Sequence, residues 1–113
     1  MEHDDIVYAG QMLDLARKMD VRLREVPRAE YDADEDLRLA VTHLVQMFGE
    51  AARHVSKAFK EAHPSVPWAD AIAMRHKVVH DYLHVDYGIV WDVAREEIPG
   101  LIRELERIVP PFP

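Results

Sequence analysis

At 113 residues, 49% hydrophobic and 31% charged, the chain can bury one core and is too apolar to be disordered. A formal net charge of -7 argues against a uniformly nucleic-acid-coating protein, and the lack of cysteine excludes disulfides, thiolate metal sites and cysteine nucleophiles. No stretch reaches the roughly 18 apolar residues of a membrane span, and the acidic start MEHDDIVYAG is unlike a secretory leader, so a cytoplasmic protein is expected.

Asp4 or Asp5 can cap a first helix carrying Ile6, Ala9, Leu13, Ala16 and Leu23, which ends before Pro27. RAEYDADED reads as an acidic loop, with Asp34 as N-cap of the next helix. That second helix has the strongest stripe: Leu37, Val41, Leu44, Phe48, Ala51 or Ala52, Val55 and Phe59. Gly49 inside it costs about 1 kcal/mol against alanine, which a close approach of another helix would offset. HPSVPW breaks the chain, and a third helix is expected from Trp68 to about Val85. VDYG reads as a turn. A fourth helix carries Ile89, Val90 and Val93, is interrupted at Pro99, and resumes through Leu101, Ile102, Leu105 and Ile108. With no strand candidate, the fold expected is all-α, an up-and-down bundle of four to five helices. Residues 1–109 form its single domain and 110–113 a flexible tail.

Charge is uneven along the chain. Residues 1–36 hold 11 Asp/Glu against 5 Lys/Arg, whereas residues 38–84 hold 4 against 6 and six of the seven histidines. The second segment contains RHKVVHDYLH, residues 75–84. On an ideal helix, turning about 100° per residue, Arg75 and Tyr82 fall within about 20° of one another. His76, His80 and His84 form a neighbouring stripe. His80 lies about 140° from Arg75, so either the helix is distorted or a second copy of the chain completes the site about a two-fold axis.

Three kinds of chemistry fit these residues. Histidines four apart are a zinc-ligand spacing, but Lys77 stands where a HExxH motif carries glutamate, and Arg75 and Lys77 would repel a cation. Metal-free phosphodiester cleavage needs only a histidine to move protons and an arginine to hold phosphate oxygens, because RNA supplies its own 2′-hydroxyl. In an ordinary polar helix face, His80 and Tyr82 are partly buried polar groups bonding neighbouring helices and Arg75 is a surface ion-pair partner. An isolated Arg-x4-His does not separate them.

The surrounding blocks narrow the choice. Arg75-x4-His80-x-Tyr82, with FGEAARHVSKAF (48–59), HPSVPWADAIAMR (63–75), HDYLHVDYGIVWDV (80–93) and IPGLIREL (98–105), resembles the HepT family of the HEPN superfamily of helical ribonuclease toxins over most of residues 37–108. His76 stands where that family often has asparagine. The resemblance implies a homodimeric, metal-independent endoribonuclease with Arg75 and His80 as its catalytic pair in a cleft between two protomers. It also implies a type VII-like toxin–antitoxin system. Its MntA-type nucleotidyltransferase antitoxin would add AMP to Tyr82, placing bulk and negative charge at the cleft mouth. RNA, tRNA included, is then the substrate; no cofactor and no metal are implied. His76, Lys77 and His84 are candidate cleft-lining residues.

The other conspicuous residues have simpler readings. Trp68 and Trp91 are expected in packing, Tyr87 at a turn, and Gly49-Glu50 in a helix contact. Arg53, Lys57 and Lys60 could guide RNA, although such side chains usually face water. A second function class stays open: a non-catalytic helical partner that presents substrate to a nucleotidyltransferase.

Overall fold

Four long helical bodies carry the chain in the computed structural model, which describes residues 2–81 and 84–111. They are α1 (Glu2–Leu23), α3 (Glu35–His54), α5 (Trp68–Val78) and a C-terminal body made of α6 (Tyr87–Asp92), a π turn (Val93–Glu97) and α7 (Ile98–Ile108). Two short helices, α2 (Arg28–Ala33) and α4 (Lys57–Ala62), fill the connections. Helix α3 packs against both α1 and α5, and α7 lies along α1. This is the helical bundle expected. The core follows the three-and-four spacing: Ala9, Met12, Leu13, Ala16 and Met19 of α1 meet Val41, Val45, Phe48 and Ala52 of α3, and Ile98, Leu101 and Leu105 of α7. Fully burying side chains of this size contributes about 1.5–3 kcal/mol each before the entropy of ordering the chain is subtracted. No described helix is long and apolar enough to cross a membrane.

Asp34 caps α3 as expected, accepting from the Leu37 N–H at 3.0 Å. Asp5 differs. Helix α1 already runs from Glu2, so Asp5 lies within it and reaches across to α4 instead. Its carboxylate, 4% exposed, accepts from the Ser56 N–H at 2.8 Å and the Ser56 Oγ at 2.7 Å. Burial pushes this carboxyl upward, but the two Ser56 hydrogen bonds outweigh it and hold Asp5 below the usual carboxylate range. Ser56 in turn accepts from the Phe59 N–H as N-cap of α4. The single helix expected through Phe59 is therefore two, broken at Val55, because Ser56 caps a new start while Asp5 holds its backbone.

Three further differences have local causes. The expected acidic loop contains α2, because the Pro27 carbonyl accepts from Glu30 and Tyr31 and Tyr31 is drawn into the core. The Tyr31 hydroxyl donates to the Tyr87 carbonyl at 2.8 Å, and its ring packs on Trp91 at 4.9 Å. Helix α5 ends at Val78 rather than near Val85. The β-branched pair Val78-Val79 favours extended backbone, and β1 (Val79–Asp81) pairs antiparallel with β2 (His84–Val85). Finally, the interruption expected at Pro99 is present but lies before it: a π turn, with the Ile98 N–H bonding back five residues to Val93, precedes α7, which restarts with Pro99 in its first turn.

Candidate functional site

Arg75 is exposed on the last turn of α5, followed by His76 and Lys77. Three basic side chains there complement the negative C-terminal end of the helix dipole, which is the ordinary reason to find them. Among the described residues, however, no hydrogen bond, ion pair or ring contact engages the Arg75 guanidinium. Lys77 differs, since its Nζ lies 3.2 Å from Glu97 in the π turn and ties α5 to the C-terminal body. His76 is exposed on α5.

Across the helix crossing, the root of Arg75 lies beside Gly49. Gly49 of α3 is buried, and a Cβ built there would lie 3.3 Å from the Ala71 carbonyl oxygen, 3.6 Å from the Ile72 carbonyl oxygen and 3.6 Å from the Arg75 Cβ. The close approach expected at Gly49 is therefore present, and it occurs where α5 carries Arg75. Glu50, next in sequence, is held by Arg53 at 2.7 Å and by His54 at 3.3 Å, and those exposed pairs keep its carboxyl below the usual range. His54 also stacks on Tyr8 with ring centroids 5.1 Å apart.

The end of α5 at Val78 changes the geometry of the motif. His80 lies in β1, two residues beyond the helix, so the 140° offset of an ideal helix does not separate it from Arg75. For the same reason the helical stripe of three histidines does not form: His76 is on α5, whereas His84 is on β2, with its backbone opposite Asp81. The expected shared face of Arg75 and Tyr82 falls in part on residues that are not described. The side chain of His80 and all of Tyr82 lie outside the described residues. Among the described residues no three His, Cys, Asp or Glu come together as a metal site.

The remaining candidates take structural places. Trp68 is buried and donates from Nε1 to the His63 carbonyl at 2.9 Å. Trp91 lies under Arg95 and Arg28, whose guanidinium carbons are 4.9 and 5.9 Å from its ring centre. Tyr87 lies under Arg38 at 5.3 Å. Arg53 is paired with Glu50, and Lys57 stands 3.9 Å from Glu61. A shallow cavity of about 350 Å³ between α5 and α7 is lined by Asp70, Met74, Glu97, Leu101 and Glu104 among others. Arg103 also lines it, but three carboxylates outnumber that one cation and suit a phosphate poorly, and Arg75 does not line it.

The family model described as ribonuclease HepT-like matches residues 12–108. A probable ribonuclease HepT of Thermococcus cleftensis is 32% identical over 85 residues, 75% of this chain and 77% of the relative. A presumed RNase of Caldanaerobacter subterraneus is 32% identical over 88 residues, 78% of this chain and 79% of the relative. Another, from Methanocaldococcus jannaschii, is 29% identical over 83 residues, covering 74% and 76%. No solved structure is a significant match.

Proposed function

We propose, from the premise that the chain belongs to the HepT-like ribonuclease family, that it is the toxin of a type VII-like toxin–antitoxin system and cuts RNA without a metal. One observation carries the assignment of the site: a permanently charged guanidinium, fixed at its root by a glycine crossing, is left exposed and unengaged among the described residues. A guanidinium in that state is available to two phosphate oxygens at once. Arg75 holds the scissile phosphate and stabilises the charge that develops on it. His80 moves the proton as the RNA 2′-hydroxyl attacks the adjacent phosphorus and the 5′-oxygen leaves. In this reading two protomers pair so that their motif segments face one cleft, with His76, Lys77 and His84 along its walls. Lys77 reaches the RNA only by leaving Glu97, an exposed pair of the kind that is worth little.

Tyr82 is the regulatory residue in this proposal. An MntA-type nucleotidyltransferase adds AMP to it, and the added phosphate repels RNA from the same cleft. The cytoplasm is where the two proteins and their RNA meet.

The test is the behaviour of Arg75→Ala and His80→Ala, made in folded protein and compared with the parent for growth arrest and RNA cleavage. Both variants are expected to lose both effects. Full toxicity in both would remove the pair from the mechanism, while a parent that cuts no RNA would favour the non-catalytic partner reading. Incubation with the antitoxin and ATP is expected to add AMP mass to a peptide holding Tyr82; an adduct confined to Tyr87 or Tyr31 would refute that placement.

A further inference from the structure

We infer that Gly49 is the positioning residue of the site: the missing side chain at 49 lets α5 sit close enough to α3 to place Arg75. The inference rests on the reading of Arg75 as the phosphate-binding group. Helix α3 could hold α5 through larger side chains, as it holds α1, but the contacts at position 49 are with backbone. A Cβ there would meet two consecutive α5 carbonyl oxygens, of Ala71 and Ile72, and the Cβ of Arg75 itself. The Ile72 oxygen and the Arg75 Cβ, at 3.6 Å, are in ordinary contact range, but the Ala71 oxygen at 3.3 Å is closer. A backbone carbonyl cannot rotate away as a flexible side-chain end can, so an added methyl asks α5 to give by a few tenths of an ångström. The segment that would move is the one bearing Arg75, because Ala71, Ile72 and Arg75 lie on the face turned towards α3 in its last two turns.

The rest of α3 explains why such a variant should still fold. Gly49 has no positive φ, so alanine suits its backbone and improves local helix propensity. Val41, Val45, Phe48 and Ala52 keep the core contacts of the helix. The consequence of a methyl at 49 is therefore read in the site rather than in global stability.

The experiment is a double-mutant cycle between Gly49→Ala and Arg75→Ala. It follows single-turnover cleavage of a fluorescein-labelled RNA that the parent cuts, and affinity for a 2′-O-methylated copy that binds but has no free 2′-hydroxyl to attack. Gly49→Ala is expected to slow cleavage about tenfold and to weaken the uncut RNA several-fold, the scale of one impaired charge-assisted hydrogen bond. In the Arg75→Ala background it is expected to change neither, because the group it displaces is gone. Equal losses in both backgrounds, or a folded Gly49→Ala protein as active as the parent, would overturn the inference. Ala71→Gly is the second variant, should the first not fold. It loosens α5 at the same crossing without adding a clash, and its effect should likewise vanish without Arg75; persistence would also overturn the inference. If Arg75→Ala itself left cleavage and affinity unchanged, the proposed function would fail, a result distinct from an additive cycle.

Discussion

Arg28, Arg38 and Arg95 gather where α1 ends and α3 begins, and each is engaged by a neighbour; among the described residues Arg75, on the last turn of α5, has no such partner. Arg95 donates to the carbonyls of Leu23 and Val26 at 2.9 and 3.1 Å while covering the Trp91 ring. Arg38 donates to the carbonyls of Tyr31 and Asp32 and covers Tyr87. Arg28 pairs with Asp32 at 2.9 Å. These arginines close helix ends and shield aromatic rings. The same residue type at position 75 has its root beside Gly49 and is exposed. The contrast teaches that one residue type serves different ends here: three arginines spend their donors on the fold, and the proposed function offers those of Arg75 to RNA.

Substitutions at the two places should fail in different ways. The largest effect is expected from Arg75→Ala, which should slow RNA cleavage by about 100- to 1,000-fold, the cost of removing one preorganised donor at a developing charge. Its thermal unfolding should stay within about 0.5 kcal/mol of the parent, as for an ordinary surface change. Arg95→Ala is the converse. Removing the donor of the Leu23 helix-end carbonyl and of the more exposed Val26 carbonyl in the connection should cost about 1–1.5 kcal/mol by denaturant unfolding, with cleavage per folded molecule unchanged. A loss of stability in the first variant, or of activity in the second, would erase the distinction.

Tyr31→Phe gives the smallest effect and a pH signature. Losing the hydrogen bond to the Tyr87 carbonyl should cost about 1 kcal/mol. Burial pushes the Tyr31 hydroxyl up to about 12 from its ordinary 10.0. The unfolded chain therefore gives up this proton first as pH rises, so stability is full below pH 10 and falls between 10 and 12. The phenylalanine variant should lack that part of the decline in urea unfolding followed across the window.

Much of this contrast was legible in the sequence, though not all. The apolar stripes of α1 and α3, the Asp34 cap and the close approach at Gly49 all follow from local rules that the structure obeys. What escaped depends on tertiary partners. Nothing in RAEYDA announces that Tyr31 will be buried, since its stabilisation comes from Trp91 and the Tyr87 carbonyl some 56 to 60 positions away. Asp5 looked like a cap because its partner Ser56 is 51 positions distant. The break at Val55 carried a readable signal, a serine three residues before Phe59, but the continuing apolar stripe masked it. The early end of α5 was the costliest to miss. The valine pair at 78 and 79 was its mark, and it changes the motif from one helix face to a helix end followed by an antiparallel strand pair.

The most direct test of the account is the chemistry of the cut itself. RNA digested by the purified protein in excess EDTA should give fragments ending in 2′,3′-cyclic phosphate with 5′-hydroxyl partners, as attack by the neighbouring hydroxyl requires. Cleavage that stops in EDTA, or fragments with 5′-phosphate and 3′-hydroxyl ends, would mean that a metal-activated water does the work assigned here to Arg75 and His80.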